Sequence, residues 1–403
     1  MNFTRGFFDT ITGSPWRWLI ICALVLLALT RNLPWHLDDY DQAKQAYVSF
    51  EMLEQGAWWF QHTPDGLVAT KPPLIGWISA GLRALGLPWD VAWRLPGIVA
   101  ALVIGIILYH EAEKLWPRYG GVSALCVFLL NMLAIRLVTL VRTDMPLTVT
   151  VFLLGWVLYR QIRDGGAWRS WRGGLIIAAL ALSADFTKGP IFYAFLLPGA
   201  VLMAVVAWRR DLFERPWHWL AGFVLWSLPG LFLFLDWSAA ASIWEPAFYE
   251  EVVVKEFLGR FTAGHEAVHN NQPLYFYVVH LLHKFAPWSV ALLVLPWWKE
   301  ARRAIRARPE VLWLVLWALG GLVVMSLIPS KRVDRIFPII PPLAMLLPFM
   351  LRALAEPVAA PTGESGGRAR AWAGIMLGLA LVVWGGYGLG QVAAQHARGA
   401  DQL

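Results

Sequence analysis

The chain has 403 residues, of which 58% are hydrophobic and only 15% charged, with 25 tryptophans and a formal net charge of +7. Soluble domains average about 45–50% apolar and about 25% charged residues, so an ordinary soluble protein is excluded and an all-α polytopic membrane protein is expected. The basic excess fits the cytoplasmic Lys and Arg that orient membrane proteins. No basic stretch is interleaved with aromatics in an aqueous domain, so no nucleic-acid partner is expected.

Taken in chain order, the apolar blocks that predict spans are Trp18–Thr30, Val91–His110, Gly121–Leu140, Met145–Tyr159, Gly174–Phe186, Pro190–Trp208 and Trp217–Leu235. They continue with Pro287–Trp298, Val311–Ile328, Ile336–Leu351 and Trp372–Gln391. The first block resembles a signal peptide in length, but similar blocks recur to the C-terminus, so it reads as a retained first span. A further segment, Pro72–Leu87, is short and interrupted by Gly76, Gly81, Arg83 and Gly86.

Charge decides the path. Three connections are basic: Arg160, Arg163, Arg169 and Arg172; then Arg209, Arg210 and Arg215; then Lys299, Arg302, Arg303, Arg306 and Arg308. Arg5 and Arg17 add a basic N-terminus, and the positive-inside rule puts all four on the cytoplasmic side. An even number of crossings must then separate the N-terminus from Arg160. That requires Pro72–Leu87 to lie in the interface or re-enter, giving about eleven transmembrane helices in a single domain over 1–403.

The remaining connections fall on the extracytoplasmic face. The first, within 31–90, should hold an interfacial helix over Tyr40–Gln55, with Ala43, Ala46, Val48, Phe50 and Leu53 as its apolar stripe. The large one, 236–286, should hold another over Glu250–Phe261. Residues 352–371 read as a cytoplasmic linker, its Gly-, Ser- and Arg-rich stretch Pro361–Arg370 carrying no evident chemistry.

Ionisable groups collect at the outer ends of these spans, where they are costly unless paired or hydrated, and are therefore functional candidates. They are Asp38, Asp39, Asp41, Lys44, Lys71, Arg142, Asp144, Lys188, His265, His269, Lys331 and Arg335. Each has a plainer reading. The three aspartates could cap a solvated helix, and Lys71, held extended before Pro72 and Pro73, could be an interfacial anchor. His265-Glu266-Ala267-Val268-His269 matches a zinc-binding spacing, yet it sits in a loop without an evident third ligand; solvated histidines, or histidines touching sugar or phosphate, are the alternative. Cys22 and Cys126 read as small apolar residues. Trp58, Trp59, Trp237, Trp244 and Trp288 read as an interfacial belt or as sugar-stacking surfaces.

Several motifs occur in a set order along this face. An acidic cluster follows the first span, then Glu51-Met52-Leu53 and Lys71-Pro72-Pro73-Leu74. Arg142-Thr143-Asp144-Met145-Pro146 and Thr187-Lys188-Gly189-Pro190 come next. Gly259-Arg260-Phe261, His265, Pro273-Leu274-Tyr275-Phe276-Tyr277 and Ala286-Pro287-Trp288-Ser289 lead to Ser330-Lys331-Arg332-Val333-Asp334-Arg335, Phe337-Pro338 and Pro341-Pro342-Leu343-Ala344. Each motif is weak alone. Together, over about residues 15 to 350, they resemble the GT-C class of polyprenyl-phosphate-sugar glycosyltransferases, in the 4-amino-4-deoxy-L-arabinose transferase and protein O-mannosyltransferase branch.

The resemblance implies a GT-C fold and roles for individual residues. The family's catalytic aspartate falls on Asp41, or on neighbouring Asp39 if the register slips, and its nearby arginine falls on Lys44. The carrier-binding lysine falls on Lys71, where Thr70 replaces the glutamate that often precedes it. The second-loop acid falls on Asp144 and the Lys-Gly-Pro lysine on Lys188. The C-terminal soluble domain of some relatives has no counterpart after the last motif.

Cleaving a sugar from a polyprenyl phosphate builds charge on the leaving phosphate, so fixed cations lower the barrier. Lys44, Lys71, Lys188 and Arg335 are the expected clamp, with Arg142 and Lys331 as further substrate contacts. A carboxylate opposite the leaving group can orient or deprotonate an attacking hydroxyl, which suits Asp41 with Asp144, and a single displacement predicts inversion. No cofactor is required; a divalent metal is admitted at Asp144 or at His265 and His269. The expected partners are a polyprenyl (undecaprenyl) phosphate-linked donor, a lipid, glycan or protein acceptor, and membrane lipids. The expected place is a bacterial inner membrane, with the site facing outward. The alternative is a transporter or flippase for a lipid-linked or anionic substrate, which would favour mid-span charges and a two-half repeat. Only Asp185 approaches the first, and no repeat is evident.

Overall fold

The computed structural model describes residues 15–37, 39–166, 171–261, 271–294, 299–355 and 382. Within them the chain is helical, with two isolated β-bridges, His62 with Val68 and Asn271 with Ser330. In order come α1 (Pro15–Thr30), α2 (Tyr40–Gln55), α3 (Leu74–Ala84), α4 (Trp89–Leu115), α5 (Gly120–Leu129), α6 (Asp144–Arg163), α7 (Trp171–Lys188), α8 (Phe192–Arg210) and α9 (Pro216–Trp244). After the outer loop follow α10 (Phe276–Lys284), α11 (Trp288–Val294), α12 (Lys299–Arg306), α13 (Pro309–Leu327) and α14 (Ile340–Ala355), the last entered through a 3₁₀ turn over Val333–Ile339.

Among the described residues, six stretches are long and apolar enough to cross a membrane: Trp89–Leu115, Asp144–Arg163, Phe192–Arg210, Pro216–Trp244, Pro309–Leu327 and Val333–Arg352. Shorter apolar helices, Pro15–Thr30, Leu74–Ala84 and Gly120–Leu129, accompany them. The chain is a multi-pass, all-helical membrane protein. α3, at 11 residues or about 16 Å, is too short to cross, in keeping with the interfacial reading of Pro72–Leu87.

One expected span is broken. Gly121–Leu140 is interrupted because the Asn131 side chain donates to the Val127 and Phe128 carbonyls at 2.9 and 2.8 Å. Its oxygen also accepts from the Leu133 and Ala134 amides at 3.1 and 2.9 Å, ending α5 and starting a new turn. Of the expected span Pro287–Trp298, α11 (Trp288–Val294) is helical, and residues 295–298 lie outside the described residues. Trp372–Gln391, apart from Val382, and the linker from residue 356 onward lie outside the described residues.

Hydrogen bonds sort the helix ends. Arg17 pairs with Glu113 at 3.2 Å, Arg163 with Glu111 at 3.3 Å, and Arg352 donates to the Leu115 carbonyl at 2.5 Å. The start of α1 and the ends of α4, α6 and α14 therefore share one end of the bundle, the end the basic connections assign to the cytoplasm. The opposite end carries α2, the Lys71 loop, the start of α6, the end of α7 and the 3₁₀ turn. Between the two ends, α8 and α13 pack backbone to backbone. A Cβ on Gly199 would come within 2.8 Å of the Leu316 carbonyl, and one on Gly320 within 2.7 Å of the Gly199 nitrogen. Trp219, Trp313 and Trp317 fill the core beside them, the Trp313 indole donating to the Gly155 carbonyl at 3.0 Å.

Candidate active site at the outer helix ends

α2 forms over the expected residues because Asp39 caps it, its Oδ1 accepting the Gln42 amide at 2.9 Å. That places Asp41 and Lys44 on the first turns. α6 starts at Asp144, so the carboxylate meets the positive end of the helix dipole, while Lys188 closes α7 at its negative end. Gly189, at φ +77°, reverses the chain directly after Lys188, a conformation open to glycine at little cost. The expected helix over Glu250–Phe261 is present as a π-helical segment, Tyr249–Phe257, followed by a 3₁₀ turn, Leu258–Arg260.

These elements enclose a polar cavity of about 270 Å³ lined by Asp41, Lys44, Gln45, Thr70, Lys71, Arg142, Thr143, Asp144, Lys188, Glu256, Arg332, Asp334 and Arg335. Six cations face four carboxylates, a net excess of two positive charges in a space of phosphate-sugar dimensions. At the mouth, Arg332 donates to Asp41 Oδ2 at 2.5 Å, with both side chains nearly half exposed. On the floor, Lys188 Nζ meets Asp144 Oδ1 at 2.5 Å, at 8% and 11% exposure. Lys71 pairs with Glu256 of the outer loop. Arg142 joins three segments: Asp39 Oδ2 at 2.7 Å, Asp334 Oδ2 at 2.8 Å and Asp41 at 3.6 Å. Lys44 reaches Thr70 Oγ1 at 3.4 Å, and Arg335 donates to the Ser330 carbonyl and hydroxyl at 3.0 Å each.

Partial burial acts to raise the Asp41 carboxyl. The hydrogen bond and charge of Arg332, with the charges of Arg142 and Lys71, outweigh it and hold the group below the ordinary carboxylate value. Nearby, His62 bridges α2 to the end of α9: Nδ1 lies 2.8 Å from Glu51, and Nε2 3.2 Å from Glu245. Partial burial acts to lower the imidazole, but the two carboxylates prevail and raise it.

Of the residues singled out in the sequence, Asp41, Lys44, Lys71, Arg142, Asp144, Lys188 and Arg335 meet in this one cavity. Asp39 stands behind it as helix cap and Arg142 partner, so the capping reading and the charged-site reading both hold for it. Lys331 does not line the cavity: it is buried and donates to the Gln272 carbonyl at 2.8 Å, tying the end of the outer loop to the Ser330 strand-like turn, and burial lowers its ammonium. His265 and His269, and with them the zinc-like spacing, lie outside the described residues, as does Asp38. Among the described residues no group of three or more His, Cys, Asp or Glu is arranged to hold a metal, and Asp144 faces Lys188.

Glu256, Arg332, Asp334 and Thr70 join the site without having been named for it. Arg332 and Asp334 belong to the same motif as Lys331 and Arg335, and of these four Arg332, Asp334 and Arg335 line the cavity. Glu256 had no motif of its own. A second, apolar cavity of about 900 Å³ lies alongside, lined by aromatic residues including Trp58, Trp59, Phe60, Trp77, Phe186, Trp237 and Trp244. Leu74, three residues past Lys71, is among its lining residues. Four of the five tryptophans assigned to a belt therefore line a cavity; the fifth, Trp288, is buried and donates to the Leu130 carbonyl at 2.9 Å.

Residues 70–233 match the family described as dolichyl-phosphate-mannose-protein mannosyltransferase. Over 344 residues the chain is 29% identical to the undecaprenyl phosphate-alpha-4-amino-4-deoxy-L-arabinose arabinosyl transferase 1 of Pseudomonas fluorescens, covering 82% of this chain and 57% of that one. Over 340 residues it is 24% identical to the corresponding transferase of Serratia proteamaculans, covering 82% and 58%. Among solved structures it is similar to ArnT from Cupriavidus metallidurans bound to undecaprenyl phosphate, with a TM-score of 0.67, 21% identity, and 90% and 63% of the two chains covered. The apo state of that protein gives a TM-score of 0.65 at 21% identity, covering 88% and 61%. The chain thus spans less than two thirds of the length of these relatives. In sequence and in fold, this chain is similar to the aminoarabinose transferases among the GT-C polyprenyl-phosphate-sugar glycosyltransferases.

Proposed function

We propose that the protein is an inverting glycosyltransferase that moves a sugar from a polyprenyl phosphate carrier to an acceptor. It would act at the outer face of a bacterial inner membrane. The observation that carries this reading is the polar cavity, where six cations and four carboxylates from six separate segments converge beside an aromatic groove. A phosphate needs fixed positive charge as its bond to the anomeric carbon opens. A polyprenyl chain needs an apolar surface near that phosphate, and the groove that Leu74 helps to line, three residues past Lys71, supports that reading.

Every carboxylate in the cavity engages a cation. Donor binding then becomes an exchange of partners: the phosphate takes Lys71 from Glu256 and Arg332 from Asp41. Asp41, relieved of its guanidinium, becomes more basic at the moment an acceptor hydroxyl must be oriented or deprotonated. The exposure of Asp41 at the mouth, with Asp39 committed to Gln42 and Arg142, favours Asp41 over Asp39 for this role. Asp144 is read as the group that fixes Lys188 on the floor, with Lys44, Arg142 and Arg335 completing the clamp. No covalent enzyme intermediate is needed, and inversion at the anomeric carbon follows.

The named relatives favour an aminoarabinose donor and a lipid acceptor; a glycan or protein acceptor is the finer alternative. The transporter reading has no observation in its favour, for Asp185 lies buried against Gly230 near the end of α7. The test is to incubate the purified full chain with radiolabelled undecaprenyl-phosphate-aminoarabinose and lipid A, and analyse the products. A labelled acceptor with inverted anomeric configuration is expected. Unchanged donor that has only moved across a vesicle bilayer would sink the proposal.

A further inference from the structure

Two of the segments that wall the polar cavity meet at Arg142. One is the first turn of α2, with Asp39 as its cap and Asp41 at the cavity mouth. The other is the irregular run 138–143, which leads into α6 and carries Arg142. Outside a helix, a buried backbone N–H must find its acceptor elsewhere.

Gln42 supplies one. Its side chain is 2% exposed, and Oε1 accepts the amide of buried Val141 at 3.1 Å, across 99 residues of chain. Gln42 directly follows Asp41 and Val141 directly precedes Arg142, so this bond lies one residue behind the site on both segments. It also completes a ring. Asp39 Oδ1 accepts the Gln42 amide at 2.9 Å, Gln42 accepts the Val141 amide, and Arg142 donates to Asp39 Oδ2 at 2.7 Å.

Such a ring fixes more than an ion pair can. A guanidinium on a long side chain follows its backbone, and partly exposed Asp39 would move with it. The bond at Val141 fixes the backbone from which that side chain starts. Arg142 then lies 3.6 Å from Asp41 and 2.8 Å from Asp334. Being an amide, Gln42 holds Val141 without adding a carboxylate that would compete for the guanidinium.

We propose that Gln42 is a positioning residue of this site, holding the Arg142 segment in register with α2 so that the guanidinium faces Asp41. Its effect on transfer rests on the glycosyltransferase reading; the link between the two segments does not.

Gln42→Met keeps length and volume but offers no oxygen to Val141. In the purified full chain, hydrogen–deuterium exchange of peptides covering 138–145 should quicken by about tenfold. Unaltered helicity and elution in detergent would show that the variant folds. Transfer from undecaprenyl-phosphate-aminoarabinose should fall by about tenfold. Its acid limb should move upward, because a displaced Arg142 no longer helps to lower the Asp41 carboxyl. In an Arg142→Gln background, adding Gln42→Met should change transfer by less than about twofold, since Gln42 acts through Arg142. Should Gln42→Met fail to fold, Gln42→Ser, which leaves room for water at Val141, carries the same measurements. Parent-like exchange over 138–145, an unmoved acid limb, or losses that multiply in the double variant would each overturn the proposal. A parent that transfers nothing would refute the reaction instead, and exchange would still decide whether Gln42 holds the segment.

Discussion

Arg332 donates to the Asp41 carboxylate at 2.5 Å across 291 residues of chain, so the mouth of the polar cavity is closed by its two halves holding each other. The pair is nearly half exposed, so its net contribution to stability is small, in the range of about 0–1 kcal/mol. Its consequence is chemical: the carboxylate stays ionised and weakly basic until an anion draws Arg332 away.

Asp41→Asn keeps the shape of the mouth and removes the base. Transfer to acceptor should fall by about 100-fold or more, while carrier binding changes little. The two readouts are product formation and retention of undecaprenyl phosphate; full transfer by this variant would return the role to another carboxylate.

Removing the guanidinium should move the pH profile. The Asp41 pKa is depressed by Arg332 together with Arg142 and Lys71, so the ionised form persists as pH falls below the usual carboxylate range. Arg332→Gln should shift the acid limb of the transfer rate upward, towards the ordinary value of about 3.9. An acid limb in the same place for both proteins would show that another group sets it.

Lys71 and Glu256 form the pair through which the outer loop covers the cavity. Lys71→Ala should weaken carrier binding by about tenfold or more and lower turnover with it, since a charge-assisted contact is worth about 1.5–3 kcal/mol. Glu256→Gln should instead tighten carrier binding a few-fold, because the phosphate no longer competes with a carboxylate for Lys71. Equal weakening by both variants would mean that the loop, and not the charge, governs binding.

On the floor, the Lys188–Asp144 pair is almost fully buried. Removing one partner leaves a charge without compensation, so Lys188→Ala should cost about 3–5 kcal/mol in thermal or denaturant unfolding. Replacing both by neutral residues of similar size should recover much of that loss while leaving transfer abolished. A single variant as stable as the parent would place the pair in contact with water.

His62 offers a pH test of the clamp between α2 and α9. Its pKa is raised because Glu51 and Glu245 outweigh partial burial, so its contribution to stability is full below the ordinary histidine value of about 6.5 and is lost as pH rises through the higher folded value. Melting temperature should therefore decline across that window in the parent and be flatter in His62→Gln. Identical slopes would remove His62 from the account.

Much was legible before any coordinates. The apolar blocks determined a multi-pass helical bundle, because hydrocarbon tolerates only internally satisfied helices, and the alternation of basic with mixed-charge connections put Asp41, Lys71, Asp144, Lys188 and Arg335, which meet in one cavity, on the same side of the chain. The Asp39 cap and the Leu74 start after two prolines are local effects, readable from neighbouring residues. Tertiary structure alone decided which charges meet. Glu256 and Arg332 carry no local signal of their role; each becomes part of the site only because a long-range contact places it against Lys71 or Asp41. The break after α5 was equally hidden, since an asparagine in an apolar run betrays a helix end only when its side chain is seen to satisfy the backbone on both sides. Periodicity and charge depend on sequence neighbours, whereas pairing depends on packing, and packing is a property of the whole chain.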